Sequence, residues 1–214
     1  MGRPGILFSQ MEPAEGDEDS FHDWYETDHI PVRMELDGFA SATRYNAREG
    51  EPAYLAVYEL TDVGALEQPA YVKVKEEPSE RTVSMLDSVR GFTRYTCEQI
   101  FDSRAPDREH THLSVVAFAV PEEDAEQFDD WYESEHAPAL LEADDWLRVR
   151  RYRVLSGEGG PWTDLALHEL GSAEVMDSPE RAAARRGPKR EALAARDWFG
   201  DSGRWLFEVL SRRT

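Results

Sequence analysis

Two histidines occupy one repeated setting. His29 lies near the end of "FHDWYETDHIP" (21–31), and His136 near the end of "FDDWYESEHAP" (128–138). Histidine is the side chain whose ordinary pKa, near ~6.5, lets it give and take protons around neutrality. In each string an acid precedes the histidine (Asp28, Glu135) and a proline stands two positions beyond it (Pro31, Pro138). If the helix ends at that proline, the helix terminus and the neighbouring carboxylate both favour imidazolium. They would then hold the ring close to working pH as an acid or base. The same position also suits a histidine that only caps the last carbonyls. On a helix, Phe21, Tyr25 and His29 share a face, as do Phe128, Tyr132 and His136. The phenylalanines, with Trp24 and Trp131, are expected in the core. Tyr25 and Tyr132 carry hydroxyls that seek a partner when buried, so they are candidates for substrate contact.

A second set of candidates comes from alternation in four apolar stretches. In "WLRVRRYRV" (146–154), Leu147 and Val149 are expected toward the helices, and Trp146, Arg148, Arg150 and Tyr152 on the opposite face. That opposite face takes Phe39, Ser41, Thr43 and Tyr45 in the related stretch 39–47. It takes Tyr54, Ala56 and Tyr58 in 53–60, and Asp164, Ala166 and His168 in 163–170, with Leu55, Val57, Leu165 and Leu167 toward the helices. Arg148 and Arg150 could hold a carboxylate, phenolate or enolate. His168 and Asp164 could act as an acid/base pair across a substrate. Alternatively this part of the sheet is a wet rim where the arginines pair with surface acids.

Such residues need a frame, and the repeat supplies it. Residues 21–45 align with 128–152 without a gap, with 11 of 25 positions identical. "LAVYEL" (55–60) then meets "LALHEL" (165–170), and Pro69 and Pro78 meet Pro179 and Pro188. Self-similarity at half the chain length means a duplicated domain. The expected organisation is repeat one over 1–104, a linker over 105–111 and repeat two over 112–214. Each half reads β-α-β-β-α-β, the ferredoxin-like order, with Pro31 ending the first helix. Its four-stranded sheet has helices on one face, so the bare faces of two copies are expected to pack together and enclose a pocket.

Bulk composition sets further limits. The chain has 214 residues, 40% hydrophobic and 11% aromatic, enough for a packed core. Its net charge of −20 disfavours nucleic acid and anionic membranes as partners. Few lysines among the basic residues, on so acidic a chain, also fit adaptation to high salt. The apolar run near the N-terminus is too short for a signal peptide or membrane span, so a cytoplasmic location is expected. Cys97 is the single cysteine and reads as a small buried hydrophobe, with no disulfide or cysteine metal site. His110 and His112 form an HxH pair read as exposed linker residues, so no metal site is expected. "GEGGP" (157–161) reads as a hairpin loop.

Together the ferredoxin-like halves, the string Phe-x-x-Trp-Tyr-x-x-(Asp/Glu)-His-x-Pro and the duplication resemble the dimeric α+β barrel superfamily, and within it EthD-like proteins. The resemblance spans nearly the whole chain. It implies a barrel usually built from two chains, here fused, and places the motif histidines His29 and His136 at the pocket mouth. It also implies a range of chemistries: cofactor-free polyketide cyclases, isomerases, decarboxylases and quinone-forming monooxygenases, with haem in more distant relatives. The expected function is a cofactor-independent enzyme on an aromatic or polyketide-like molecule, with proton transfer by His29, His136 or His168. Tyr25, Tyr132, Tyr45, Tyr54, Tyr58, Trp146, Arg148, Arg150, Tyr152 and Asp164 are expected to bind substrate. The outcomes considered are cyclisation, isomerisation, dehydration and decarboxylation. Alternatives are cofactor-free oxygenation of a phenol, a non-catalytic binding protein, and a haem-dependent activity. The expected assembly is a monomer with an internal pseudo-dimer, or a homodimer of it.

Overall fold

The computed structural model describes residues 2–103 and 105–214; Met1 and Arg104, where the first repeat is expected to end, lie outside the described residues. Eight strands form the frame: β1 Gly5–Glu12, β2 Phe39–Glu49, β3 Tyr54–Leu60, β4 Arg90–Asp102, β5 His112–Phe118, β6 Trp146–Glu158, β7 Asp164–Leu170 and β8 Ser202–Arg213. They close into one antiparallel barrel in the order β1-β3-β2-β8-β5-β7-β6-β4. Taken by halves, this is β4-β1-β3-β2 followed by β8-β5-β7-β6, the ferredoxin-like sheet order twice over. The halves are sewn together by the β2–β8 and β4–β6 seams. Closure leaves no unpaired edge.

Helices lie on the outside of each half. In the first they are α1 Glu18–Trp24, α2 Ile30–Met34, α3 Pro69–Glu76 and α4 Glu80–Ser88. The second has α5 Ala125–Trp131, α6 Ala137–Leu140, α7 Pro179–Ala184 and α8 Pro188–Ala194. None is long and apolar enough to cross a membrane.

The faces of the sheet are the reverse of those expected for β3 and β7. Leu55, Val57, Leu165 and Leu167 point into the barrel, where they pack with Ile6, Phe8, Leu113, Val115 and Phe207. Tyr54, Ala56 and Tyr58 lie under the first half's helices. Ala166 lies under the second half's, and Asp164 and His168 share its side of β7 by alternation. The reason is physical. Both faces of this sheet are covered, so both rows are apolar and alternation alone cannot say which is which. An eight-stranded lumen is only just wide enough for side chains to fill, and compact aliphatic rows fit it. On β3 the broader rings, Tyr54 and Tyr58, go beneath the helices.

Two bulges refine this. They fall between Phe39 and Ser41 and between Trp146 and Arg148, and each flips the strand's first residue to the helix side. Phe39 and Trp146 therefore join the outer cores. Tyr45 and Tyr152 stay in the lumen as expected, and Thr43 sits opposite Val57.

The repeated motif also departs from expectation: Pro31 and Pro138 do not end their helices. Tyr25–His29 and Tyr132–His136 are single π-helical turns, after which α2 and α6 continue with the prolines in their first positions. Ile30 N–H donates to the Tyr25 carbonyl and Ala137 N–H to the Tyr132 carbonyl, the i→i−5 pattern. A proline inside an α-helix removes one hydrogen bond and clashes with the carbonyl four residues back. The wider turn just upstream shifts that register and lets the helix run on through the proline.

Candidate active site

Because the motif histidines sit inside helices, no helix terminus supports their protonation. Burial dominates instead. His29 is held well below the usual histidine range, chiefly by burial and then by Arg33. His136 is lowered to about 4, again chiefly by burial, although its bond to the Ala184 carbonyl opposes the shift. His168 is also held well below the usual range, by burial and then by His136. All three are neutral at neutral pH, which corrects the expectation of rings poised near it.

A cavity of about 380 Å³ lies between the outer face of the second half's sheet and its helices. Trp131, Tyr132, His136, Trp146 and His168 line it, with Arg204 from β8. The His136 ring stacks on Trp131, with centroids 4.6 Å apart and planes 28° apart, and stands edge-on to Tyr132 at 4.9 Å. Its Nδ1–H donates to the Ala184 carbonyl at 2.8 Å, so in the neutral ring Nε2 carries the lone pair.

A second chain of bonds sets the tyrosine. Trp146 Nε1 lies 3.1 Å from His168 Nδ1, and an indole nitrogen can only donate. Nδ1 is therefore the acceptor, and the proton of neutral His168 is on Nε2. That Nε2–H donates to the Tyr132 hydroxyl oxygen at 2.8 Å. The hydroxyl's own proton is then available to another acceptor. Burial raises the Tyr132 pKa, so this proton stays on oxygen. The cavity thus combines a neutral imidazole lone pair, an oriented phenol donor and indole walls. That set can take a proton from an acidic C–H or O–H and stabilise the oxyanion left behind.

The first half lacks this arrangement. Its counterpart of His168 is Tyr58, that of Trp146 is Phe39, and that of Arg181 is Tyr71. Phe39 contacts Tyr58 at 5.9 Å and Tyr71 at 5.7 Å between centroids, filling the corresponding space. His29 packs on Trp24 at 4.2 Å, with Nδ1 buried and without a hydrogen-bond partner. Tyr25 donates to the Met11 sulfur at 3.7 Å, and Tyr54 bonds to Glu18.

Other expected site residues are committed elsewhere. Arg150 projects into the lumen but is clamped by Glu59 at 2.7 Å and Glu169 at 2.8 Å. Arg148 pairs with Asp102, its Nε at 2.8 Å from Oδ1, and with Glu169 at 3.7 Å. Three carboxylates meet two guanidinium groups, so neither arginine has charge left over for a substrate. Asp164 lies at 3.1 Å from Arg153 and 3.5 Å from Arg151, outside the cavity lining. Four residues along a strand is about 13 Å, so it does not pair with His168. Tyr45 and Tyr152 pack inside the barrel. His110 is not an exposed linker residue. It bonds Tyr45 at 3.0 Å and lies 3.6 Å from Glu169, and burial lowers its pKa to about 3. Cys97 is fully buried, and burial raises its pKa. Among the described residues no cluster of metal-ligating side chains occurs.

The sequence reading missed four cavity arginines: Arg181, Arg185, Arg190 and Arg204. A signal was present. "RAAARRGPKR" (181–190) contains five basic residues and no acid, in a chain of net charge −20. The matching "YVKVKEEPSE" (71–80) contains three acids.

No family model and no curated protein matches the sequence. Solved structures do match the fold. An anthrone oxidase-like protein superposes with a TM-score of 0.70 at 12% identity, over 100% of this chain and 93% of that one. A protein assigned as a monooxygenase from Fusobacterium nucleatum gives 0.66 at 10% identity, over 99% and 94%. A chlorite dismutase from Candidatus Nitrospira defluvii gives 0.56 at 8% identity, over 98% and 92%. With its closed eight-stranded barrel and outer helices, the chain has the dimeric α+β barrel fold, both halves of the barrel carried by a single polypeptide.

Proposed function

We propose that the second half houses the active site of an enzyme acting on a small aromatic or polyketide-like molecule, and that the reaction begins by proton abstraction. The observation that carries this reading is the pairing of His136 and Tyr132 in one cavity. The lone pair of His136 Nε2 is the base. The Tyr132 hydroxyl, oriented by the Trp146–His168 chain, donates to the developing enolate or phenolate. Trp131 and Trp146 hold the ring. The deprotonated substrate can then cyclise, isomerise, dehydrate or decarboxylate. At about 380 Å³ the cavity lies at the small end of the range of ligand pockets, about 300–1,000 Å³.

The test is turnover of a panel of hydroxylated anthrones, naphthols and β-keto acids, followed by mass spectrometry. His136→Gln is expected to lower kcat by about 10²–10⁴, and Tyr132→Phe by about 10²–10³. His29→Gln should leave turnover per folded molecule within about twofold of wild type, because His29 lies in the first half, outside the lining of this cavity. Full turnover in His136→Gln would overturn the role of that residue. Binding of panel members without change over hours would leave a ligand-binding protein.

A second reading draws support from the fold neighbours, which include an anthrone oxidase-like protein and one assigned as a monooxygenase. The carbanion made by the same first step can reduce molecular oxygen, with the substrate as the electron source. Oxygen uptake during turnover, abolished under argon, selects this outcome. His136 also has the arrangement of an iron-ligating histidine, with Nδ1–H on a carbonyl and Nε2 free. A Soret band that forms on haemin titration and is lost in His136→Gln would replace the acid–base reading with a haem-dependent one.

A further inference from the structure

Four arginines converge on this cavity from three directions. Arg181 comes from α7, Arg185 from the turn after it, Arg190 from α8 and Arg204 from β8. Gly187, with φ of +127°, makes the sharp break that sets α7 against α8. A side chain there would meet the Glu135 carboxylate at 2.9 Å and carry strained backbone as well.

Elsewhere in this acidic chain many arginines are met by carboxylates: Arg148, Arg150, Arg151, Arg153 and Arg196 each have at least one. Among the described residues, none of the four cavity arginines has an ion-pair partner. Arg181 donates to the Met176 carbonyl, and Arg190 lies over the Phe199 ring at 5.6 Å. Glu49 is the acid in the lining, against four cations. We propose that this cluster anchors an oxyanion on the substrate, a carboxylate or phosphate attached to the aromatic body held by Trp131, His136 and Trp146. The inference rests on the cavity being the active site.

The electrostatics run the same way. Arg181 and Arg204 hold their protons less tightly than an ordinary arginine, first because of burial and then because of the Arg185 charge. Uncompensated cations crowded in a partly desolvated space are unfavourable, and a bound anion relieves that repulsion. It has a catalytic effect too. Arg190, Arg185 and Arg204 help to depress His136. An anion seated among them cancels part of that field and makes His136 a stronger base when substrate is present.

The first half shows what the cluster replaces. Tyr71 stands where Arg181 does, and Glu80 where Arg190 does. There the tyrosine is buried, and the segment carries its own acids.

Calorimetric titration with 2-naphthoate, 2-naphthyl phosphate and the neutral isostere 2-naphthamide tests the proposal. At low salt at least one anion is expected to bind about tenfold or more tighter than the amide, with the tighter anion naming the oxyanion. The preference should shrink as salt is added. It should vanish in the double variant Arg181→Gln/Arg204→Gln and persist in Arg81→Gln, whose side chain pairs with Asp23 in the first half, outside the cavity lining. Equal binding of all three ligands, absence of binding by both anions, or a preference retained in the double variant overturns the anchor. The acid–base reading fails separately. His136→Gln should keep the anion preference while losing turnover, so full turnover in that variant condemns the base and leaves the anchor standing.

Discussion

Trp146 shows how a packing residue can decide chemistry. Its indole N–H leaves His168 one tautomer, and that tautomer leaves Tyr132 one free proton. Trp146→Phe keeps the ring but removes the donor. We expect kcat to fall about tenfold with KM little changed, since a single oriented hydrogen bond in the transition state is affected. A change confined to KM would mean that the indole serves only as a wall. The pH profile belongs to the same scale. The required form of His136 is neutral and its pKa is about 4. Log kcat/KM should therefore rise from acid pH to a plateau reached below pH 6, with no limb near the ordinary histidine value. Tyr132 and His136 were legible as chemistry because their types and spacing repeat. Their partners were less so. His168 was singled out with Asp164, but its partner is Trp146; both were set on one face, the lumen side, whereas both lie beneath the helices, and alternation alone does not give the cross-strand register that joins them.

Single π-turns are the elements that aim the motif side chains. An α-helix advances about 100° per residue, so the extra residue in each turn rotates everything after it relative to everything before. Deleting Ser134 should restore α-helical register and swing His136 away from its Ala184 contact. We expect turnover to drop at least about 100-fold with the far-ultraviolet circular dichroism retained. Deleting Thr27 makes the equivalent change in the first half and should spare turnover. Equal losses in the two deletions would show that the π-turn serves folding rather than the site. The four alternating stretches match β2, β3, β6 and β7 to within a few residues, and the duplication gave both halves together. The π-turns were not readable, because a proline after a histidine looks the same whether a helix stops or widens. The direction of the strand faces was not readable either, since a barrel wall clad with helices is apolar on both sides.

Across the whole molecule, the two halves are bound by charge as well as by strand pairing. Arg150 of β6 reaches Glu59 of β3 and Glu169 of β7 within the barrel. Arg150→Ala strips the buried Glu169 carboxylate of its short ion pair, leaving it Arg148 at 3.7 Å, and should destabilise the protein by about 3 kcal/mol, read from the denaturant midpoint. Acid should weaken the fold too. His29, His110, His136 and His168 all bind protons less readily when folded, whereas in the unfolded chain they titrate near 6.5. The unfolded state therefore takes up more protons as pH falls below about 6.5, and stability declines from there toward pH 4 and below. A thermal midpoint unchanged between pH 7 and 4 would contradict this. The filled first half has one more consequence. A barrel made from two identical chains must carry two identical pockets, and a residue that plugs one plugs both. Fusion removes that constraint: Phe39, Tyr58 and Tyr71 can close one side as solid support while the other stays hollow. Ligand titration should accordingly saturate at one molecule per polypeptide, and every barrel should work with a single, unsymmetrical centre.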